Sequence, residues 1–346
     1  MKEINRRDFI KKVVVGGAVL SLDSAVFFKP MQAHAWGKYD IGQCKSVRIK
    51  CVSELICNDS DKFLDQVSTA GGWFINQWEI PFDPNNAVGF CSLIDMETLD
   101  GRHHKFLLDT GWNAKYIDTC FKREGIDRML QNGEIEFLFV SHEHMDHLWG
   151  LETVLKYNPK IDIFIPSTFN PEGVEFIGSA EFNKSGAKNK IEHKGKLVKI
   201  KPGEVNKLFD GCMAVAFNAN SGFRVQGEES LYFNVKDKGF VFVSGCCHQN
   251  IFTLVDFAKE KIKGGKNIYG VYGGLHIIPF GSNPRYKEIV RDMAKYEFKK
   301  IACNHCTGLP AIELMVELGY PVVKGSGRFG SKSKLNIGNG DEVVFG

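Results

Sequence analysis

The chain has 346 residues, 43% of them hydrophobic, with 44 basic against 41 acidic side chains and a formal charge of +3. Residues 1–35 carry that excess, and the other 311 positions balance at 38 basic against 38 acidic, so no net charge steers the protein toward nucleic acid or an anionic membrane. With 27 phenylalanines and 36 glycines the composition suits a single domain of many short strands and tight turns, and it holds no internal repeat or low-complexity tract.

The chain begins with a charged segment, residues 1–12, containing Arg6-Arg7-Asp8-Phe9-Ile10-Lys11, followed by an apolar run over 13–20 and by Ala33-His34-Ala35. A charged start, a short apolar stretch and a small-x-small tripeptide form the pattern of a cleaved export signal. The paired arginines resemble a twin-arginine box. Residues 1–35 are therefore expected to be removed, leaving a single domain over 36–346. The implied partner is the twin-arginine export machinery, and the implied location is periplasmic or otherwise exported. Asp23 and Lys29 interrupt the apolar run, which is too short for a stable membrane anchor. The ten cysteines do not have the spacing of a small disulfide scaffold, and their connectivity cannot be read from the sequence.

Along the remaining chain, residues 46–55 read as a strand. The aromatic run at Trp73, Phe74 and Trp78, beside Gly71-Gly72, reads as core packing, with a pocket wall as the alternative. Residues 90–95 and 105–111 pair around the turn at Asp100-Gly101. Residues 113–131 have helical periodicity, 135–140 form a β-branched and aromatic strand, and 161–166 form another. Residues 168–196 are polar with no clear period and read as a surface insertion, in which His193 is a solvated histidine. Strands follow at 214–218, 230–235 and 240–244, then a helix to about 263, a strand at 267–272, a helix over 283–298 and a strand at 300–304. The glycine-rich stretch 325–330 reads as a turn before it reads as a phosphate cradle.

The stretch richest in chemistry is Val140-Ser141-His142-Glu143-His144-Met145-Asp146-His147. A lone histidine is ordinarily a solvated or core-satisfied imidazole, but four such side chains within six residues, at the junction of a strand and a helix, form a metal-ligand cluster. Neutral imidazole with carboxylate is the donor set of zinc, iron and manganese centres. Three further segments, Gly245-Cys246-Cys247-His248, Gly273-Gly274-Leu275-His276 and His305-Cys306-Thr307-Gly308, each follow a predicted strand, where α/β folds collect site residues.

The octet resembles the signature of the metallo-β-lactamase superfamily, and Leu107-Leu108-Asp109-Thr110-Gly111 is similar to its first motif. The three later segments, in this order, look like its dihydropteroate-synthase-like branch, named for a step in methanopterin-type cofactor synthesis. The resemblance implies an α/β fold, a four-layer αββα sandwich, with two divalent ions, zinc first and iron or manganese as alternatives. It assigns His142, His144 and His248 to one ion, and Asp146, His147 and His305 to the second, with Asp109 supporting the metal loop from behind. It gives catalytic roles to Asp146, which orients a metal-bound hydroxide, and to His276, a proton donor or substrate contact whose other reading is a buried structural histidine. One departure stands out: Cys246 lies where most members of the superfamily have an aspartate bridging the ions. The implied function is hydrolysis of a small-molecule substrate, a phosphoester or a relative. The alternatives are a lactam or thioester hydrolase, and a non-catalytic metal-binding or cysteine redox protein that keeps the fold.

Overall fold

The strand-forming stretches of the chain pair into one large mixed sheet flanked by helices. The computed structural model describes residues 38–181, 185–281 and 283–346. The expected export signal lies outside these residues. Thirteen strands are present among them: β1 (Cys44–Ser53), β2 (Cys91–Thr98), β3 (His103–Leu108), β4 (Phe137–Phe139), β5 (Asp162–Pro166), β6 (Leu197–Ile200), β7 (Val205–Phe209), β8 (Cys212–Asn218), β9 (Gly227–Val235), β10 (Gly239–Ser244), β11 (Ile268–Gly274), β12 (Lys300–Asn304) and β13 (Glu342–Phe345). Their spatial order is β12-β11-β10-β9-β1-β2-β3-β4-β5-β6, with β13 on β1 and the β7–β8 hairpin on β9. The two halves of this order meet at a single residue pair, Cys44 with Val235.

Both faces of most strands are buried, and alternate residues enter different clusters, as the two-residue repeat of a strand requires. Phe240 and Phe242 of β10 pack with the helix Ile251–Lys261 through Leu254, Val255 and Ala258. Val241 and Val243, one residue out of phase, pack with Phe106, Leu108, Phe137 and Phe139 from the other half of the sheet. Leu107 and Leu138 point the opposite way, toward Ile117, Cys120 and Phe121 of the helix Ala114–Glu124. Each fully buried side chain of this size contributes on the order of 1.5–3 kcal/mol.

Local chemistry sets the element ends. The Asn113 side chain accepts hydrogen bonds from the Lys115 and Tyr116 N–H groups and starts its helix, and Gly125, at φ 74°, stops it. The periodic stretch 113–131 is thus two helices, Ala114–Glu124 and Ile126–Gln131, because only a left-handed residue fits the break. The segment 168–196 contains the helix Pro171–Ser179, whose Phe176 and Ile177 are buried in the core, so its first half is part of the packed body. Half-buried His193 is held to the Ile161 carbonyl at 2.7 Å. The loop 325–330 is a closed turn: Asp341 Oδ2 accepts from the Ser326 N–H, and the Arg328 guanidinium donates to the Gly340 carbonyl, so neither group awaits a phosphate. All ten cysteines are buried free thiols. No described helix is long and apolar enough to cross a membrane.

Candidate metal centre

The strands β3, β4, β10, β11 and β12 all deliver their C-terminal ends to one place, and Asp109, the octet, Cys246 to His248, His276 and His305-Cys306 follow directly after them. Five residues near these ends have left-handed backbones, which is uncommon outside glycine: Asp109 (φ 61°), Phe223 (φ 60°), Cys247 (φ 65°), His276 (φ 45°) and His305 (φ 52°). Such conformations cost on the order of 1–3 kcal/mol each and persist where the surroundings over-determine them.

Each imidazole is fixed by a partner behind it. Asp109 Oδ1 accepts from the Ser141 N–H at 2.6 Å, and Oδ2 accepts from the Ser141 hydroxyl at 2.8 Å and from His147 Nδ1 at 2.6 Å. With its one proton given to Asp109, Ser141 Oγ accepts from His142 Nδ1 at 2.8 Å. The Gly222 carbonyl accepts from His144 Nε2 at 3.0 Å, Glu228 Oε2 from His248 Nδ1 at 2.8 Å, and the Glu54 carbonyl from His305 Nδ1 at 2.9 Å.

This accounting leaves the inward-facing nitrogen of every neutral ring as a bare lone pair. Yet His142 Nε2 lies 3.0 Å from His144 Nδ1, and His147 Nε2 lies 3.0 Å from His305 Nε2. His248 Nε2 is buried without any hydrogen-bond partner. Asp146 Oδ2 sits 3.4 Å from His305 Nε2 and 3.7 Å from His147 Nε2, and Cys246 Sγ sits 3.2 Å from the latter. Lone pairs pressed this closely repel unless positive charge sits among them, so the donors fit a cationic metal.

Two groupings have ligand atoms within 4.8 Å of one another and match the expected half-sites: His142 with His144 and His248, and Asp146 with His147 and His305. Cys246 belongs to three further groupings: with His142 and His147, with His248 and His276, and with His305 and Cys306. The cysteine thus lies between the half-sites. His276 stands with its ring centroid 4.4 Å from that of His248, its Nδ1 buried and without a partner.

Titration follows the same crowding. Burial, then the neighbouring imidazoles, push His142 well below its ordinary range, and burial takes His144 down to about 3. Burial also opposes charge on His305, but its hydrogen bond with Asp146 outweighs that and pushes it up to about 9. A proton is drawn to the spot where the second half-site gathers its donors. Burial works against the Asp146 anion too, and the His147 and His305 charges override it and hold the carboxyl well below its usual range.

The sequence reading missed Glu228. Its Oε1 accepts from the Ser244 hydroxyl (2.8 Å), the Cys246 N–H (2.9 Å) and the Cys247 N–H (2.7 Å), while Oε2 accepts from the His248 N–H and Nδ1 at 2.8 Å each. One carboxylate therefore shapes the whole turn that presents Cys246 and His248. Two successive glutamates leading into the apolar run Leu231-Tyr232-Phe233 of the strand 227–235 were the available signal, since a carboxylate on a strand buried on both faces requires partners. Glu229, by contrast, has both oxygens buried and unpartnered, and burial raises its pKa well above the ordinary value.

Above the cluster opens a cavity of ≈ 630 Å³, with His144, Asp146, Cys246, His248, His276 and His305 on its floor. Its wall is mostly apolar and rich in aromatic rings, and Trp73 and Phe74 belong to it, whereas Trp78 is buried against Trp149.

The fold and the cluster together define a class. The chain has the fold of a solved metal-dependent hydrolase of the beta-lactamase superfamily, with a TM-score of 0.50 at 16% identity over 86% of this chain and 98% of that one. Among curated proteins it is similar to the 7,8-dihydropterin-6-methyl-4-(beta-D-ribofuranosyl)-aminobenzene-5'-phosphate synthase of Methanocaldococcus jannaschii. The two are 28% identical over 272 residues, covering 68% of this chain and 86% of the synthase. An uncharacterized protein of the same organism is 27% identical over 244 residues, covering 66% of this chain and 88% of its own. No protein-family model matches the chain.

Proposed function

We propose that this protein is a metal-dependent hydrolase of the metallo-β-lactamase type, acting on a small molecule. The observation that carries the reading is the convergence of five imidazole nitrogens, each with its partner nitrogen tied outward, on the Asp146 carboxylate and the Cys246 thiol. His142, His144 and His248 would hold one divalent ion and Asp146, His147 and His305 the other, with Cys246 between them. Zinc suits this mixture of imidazole, carboxylate and sulfur, and iron and manganese are the alternatives. Bound there, such ions supply Lewis acidity and make water acidic near neutral pH.

The chain's own groups do the rest. Asp146, kept anionic on the cavity floor, orients the attacking water by accepting its hydrogen bond. His276 also faces the cavity and donates a proton to the leaving group. Burial opposes charge on it, but contact with Cys306 raises its pKa and favours the protonated ring. The cavity over the cluster supports an enzyme over the non-catalytic metal-binding or thiol redox reading, which needs no room for a substrate. Phosphoester, lactam and thioester bonds all suit this chemistry.

Three finer readings accompany this one. The division of apolar residues into two flanking clusters and a central one supports the four-layer αββα arrangement. The similarity to the archaeal synthase supports the dihydropteroate-synthase-like branch. The twin-arginine motif supports export of a folded, metal-loaded protein.

Elemental analysis of protein isolated without added metal tests the centre. The expected content is close to two ions per chain, lost when His142→Ala and His305→Ala are combined. Full metal retention by that double variant overturns the ligand assignment. A screen of ester, phosphodiester, lactam and thioester substrates tests the catalytic reading, and absence of turnover on all of them by metal-loaded protein refutes it.

A further inference from the structure

We infer that the pocket over the metal cluster selects substrates carrying an uncharged planar aromatic group, which packs against the wall formed by Phe63, Trp73, Phe223 and Phe280 while the bond to be cleaved lies over His248 and Asp146. The inference rests on the reading of the cluster as a hydrolytic centre, and it goes further by naming the part of the substrate that does not react.

Four rings from four separate segments meet above the cluster. Trp73 is 5.0 Å from Phe223 and 5.5 Å from Phe280 between centroids, with the planes 43° and 39° apart. Phe63 lies 5.6 Å from Phe280, at 36°. At these spacings the four rings pack against one another, and since all four line the cavity, an aromatic guest meets a continuous aromatic wall and gains beyond simple burial. Phe223 joins the box to the floor, since its ring is 5.7 Å from that of His144. Its left-handed backbone places it there, and two hydrogen bonds fasten its loop to the 73–74 segment at one side of the mouth: the Phe223 N–H donates to the Trp73 carbonyl at 2.7 Å, and Arg224 Nε donates to the Phe74 carbonyl at 3.3 Å. Trp73 remains 39% exposed and Phe74 91% exposed, so a large apolar surface is left open at the entrance.

Charge argues for a neutral group. No lysine or arginine lines this cavity among the described residues, so nothing in its wall answers a phosphate or carboxylate remote from the metals. Above the floor the polar side chains are Asn220 and Ser221, too few to match the edge of a polar heterocycle. The volume of ≈ 630 Å³ lies within the range of ordinary small-molecule sites.

The test is binding, measured by calorimetry on the purified metal-loaded protein, so that turnover is not needed. The probes are naphthalene-2-methanol, its fully saturated decahydro counterpart and a naphthyl trimethylammonium salt. The expected result is that naphthalene-2-methanol binds about tenfold more tightly than the saturated probe, and that Phe280→Leu, which keeps apolar bulk and removes the ring, abolishes that preference. Trp73→Ala weakens the aromatic probe by a similar factor, and its partial exposure leaves the core untouched. Equal binding of the two neutral probes, tighter binding of the cation, or indifference to both substitutions overturns the proposal. Aromatic preference without turnover in the substrate screen would sink the hydrolase reading and leave the pocket standing. Turnover without aromatic preference would do the reverse.

Discussion

At the scale of single residues, the centre depends on groups that never face the metal positions. Glu228 has five donors on its two oxygens, and its acidity follows from them: burial alone would raise its pKa, and the bonds from His248 and the backbone hold it well below the ordinary range. Glu228→Gln keeps the size of the side chain but replaces one acceptor oxygen with a donor, which must then oppose either the His248 pair or the Ser244, Cys246 and Cys247 set. Loss of comparable support elsewhere costs about 10–100-fold in metal affinity, and competition with a chromogenic chelator should show a loss of that size. Unchanged affinity would mean that the turn is held by its backbone alone. Glu143, inside the octet, faces away from the cluster, where its carboxyl takes the Asn170 N–H at 2.9 Å and the Asn170 amide at 2.6 Å. Burial pushes its pKa up to about 8 from an ordinary 4.5. Because the folded value is the higher one, the stabilisation this group gives is complete below pH 4.5 and is lost as the pH climbs through 8. Glu143→Gln cannot lose a proton, so its denaturation midpoint should gain on the wild type steadily between pH 5 and 8. Parallel curves across that window would refute the assignment.

At the scale of elements, the strand ends carry the site and their turns tolerate little. A Cβ at Gly245 would stand 2.1 Å from Ser141 Oγ and 2.8 Å from Asp109 Oδ2, in the middle of the bonds that orient His142 and His147. Gly245→Ala should therefore lower metal content and stability together. Gly178, in the helix Pro171–Ser179, has nothing within 4 Å of that position, and Gly178→Ala should stabilise by about 0.5–1 kcal/mol. If thermal melts rank the two substitutions the other way, the role given to the Gly245 turn falls. Elements also mark what the sequence could reveal. The octet was legible because its donors are packed into six residues, and the strand-end histidines because each follows an apolar run. Glu228 was not, since its partners are 16 to 20 residues away. Nor were β7 and β13, short strands whose pattern shows no sustained alternation. The four rings of the pocket come from positions 63, 73, 223 and 280, and no local pattern unites them.

At the scale of the whole molecule, the centre lies across a seam. His142, His144, Asp146 and His147 belong to the half of the sheet running from β1 to β6, and His248 and His305 to the half running from β9 to β12. The β1–β9 ladder joins these halves through one residue pair, with one further bridge at Pro202 and Ala216, so much of their attachment is the packing between them and whatever binds the clustered donors. With the metal removed, His147 Nε2 and His305 Nε2, 3.0 Å apart on opposite halves, are held by a proton on His305 in place of divalent charge. Metal should therefore act as a staple between the halves as well as a reactive centre. An ion at a free concentration 100 times its dissociation constant stabilises the folded state by about 2.7 kcal/mol, enough to move a melting temperature by on the order of 5 °C. Stripping the protein with a chelator should lower its melting temperature by at least that much, and restoring zinc should return it. The double variant His142→Ala with His305→Ala should melt at the same temperature with and without chelator. A chelated wild type that has lost its ions by elemental analysis yet melts unchanged would show that the halves hold together without them, and the centre would then serve chemistry alone.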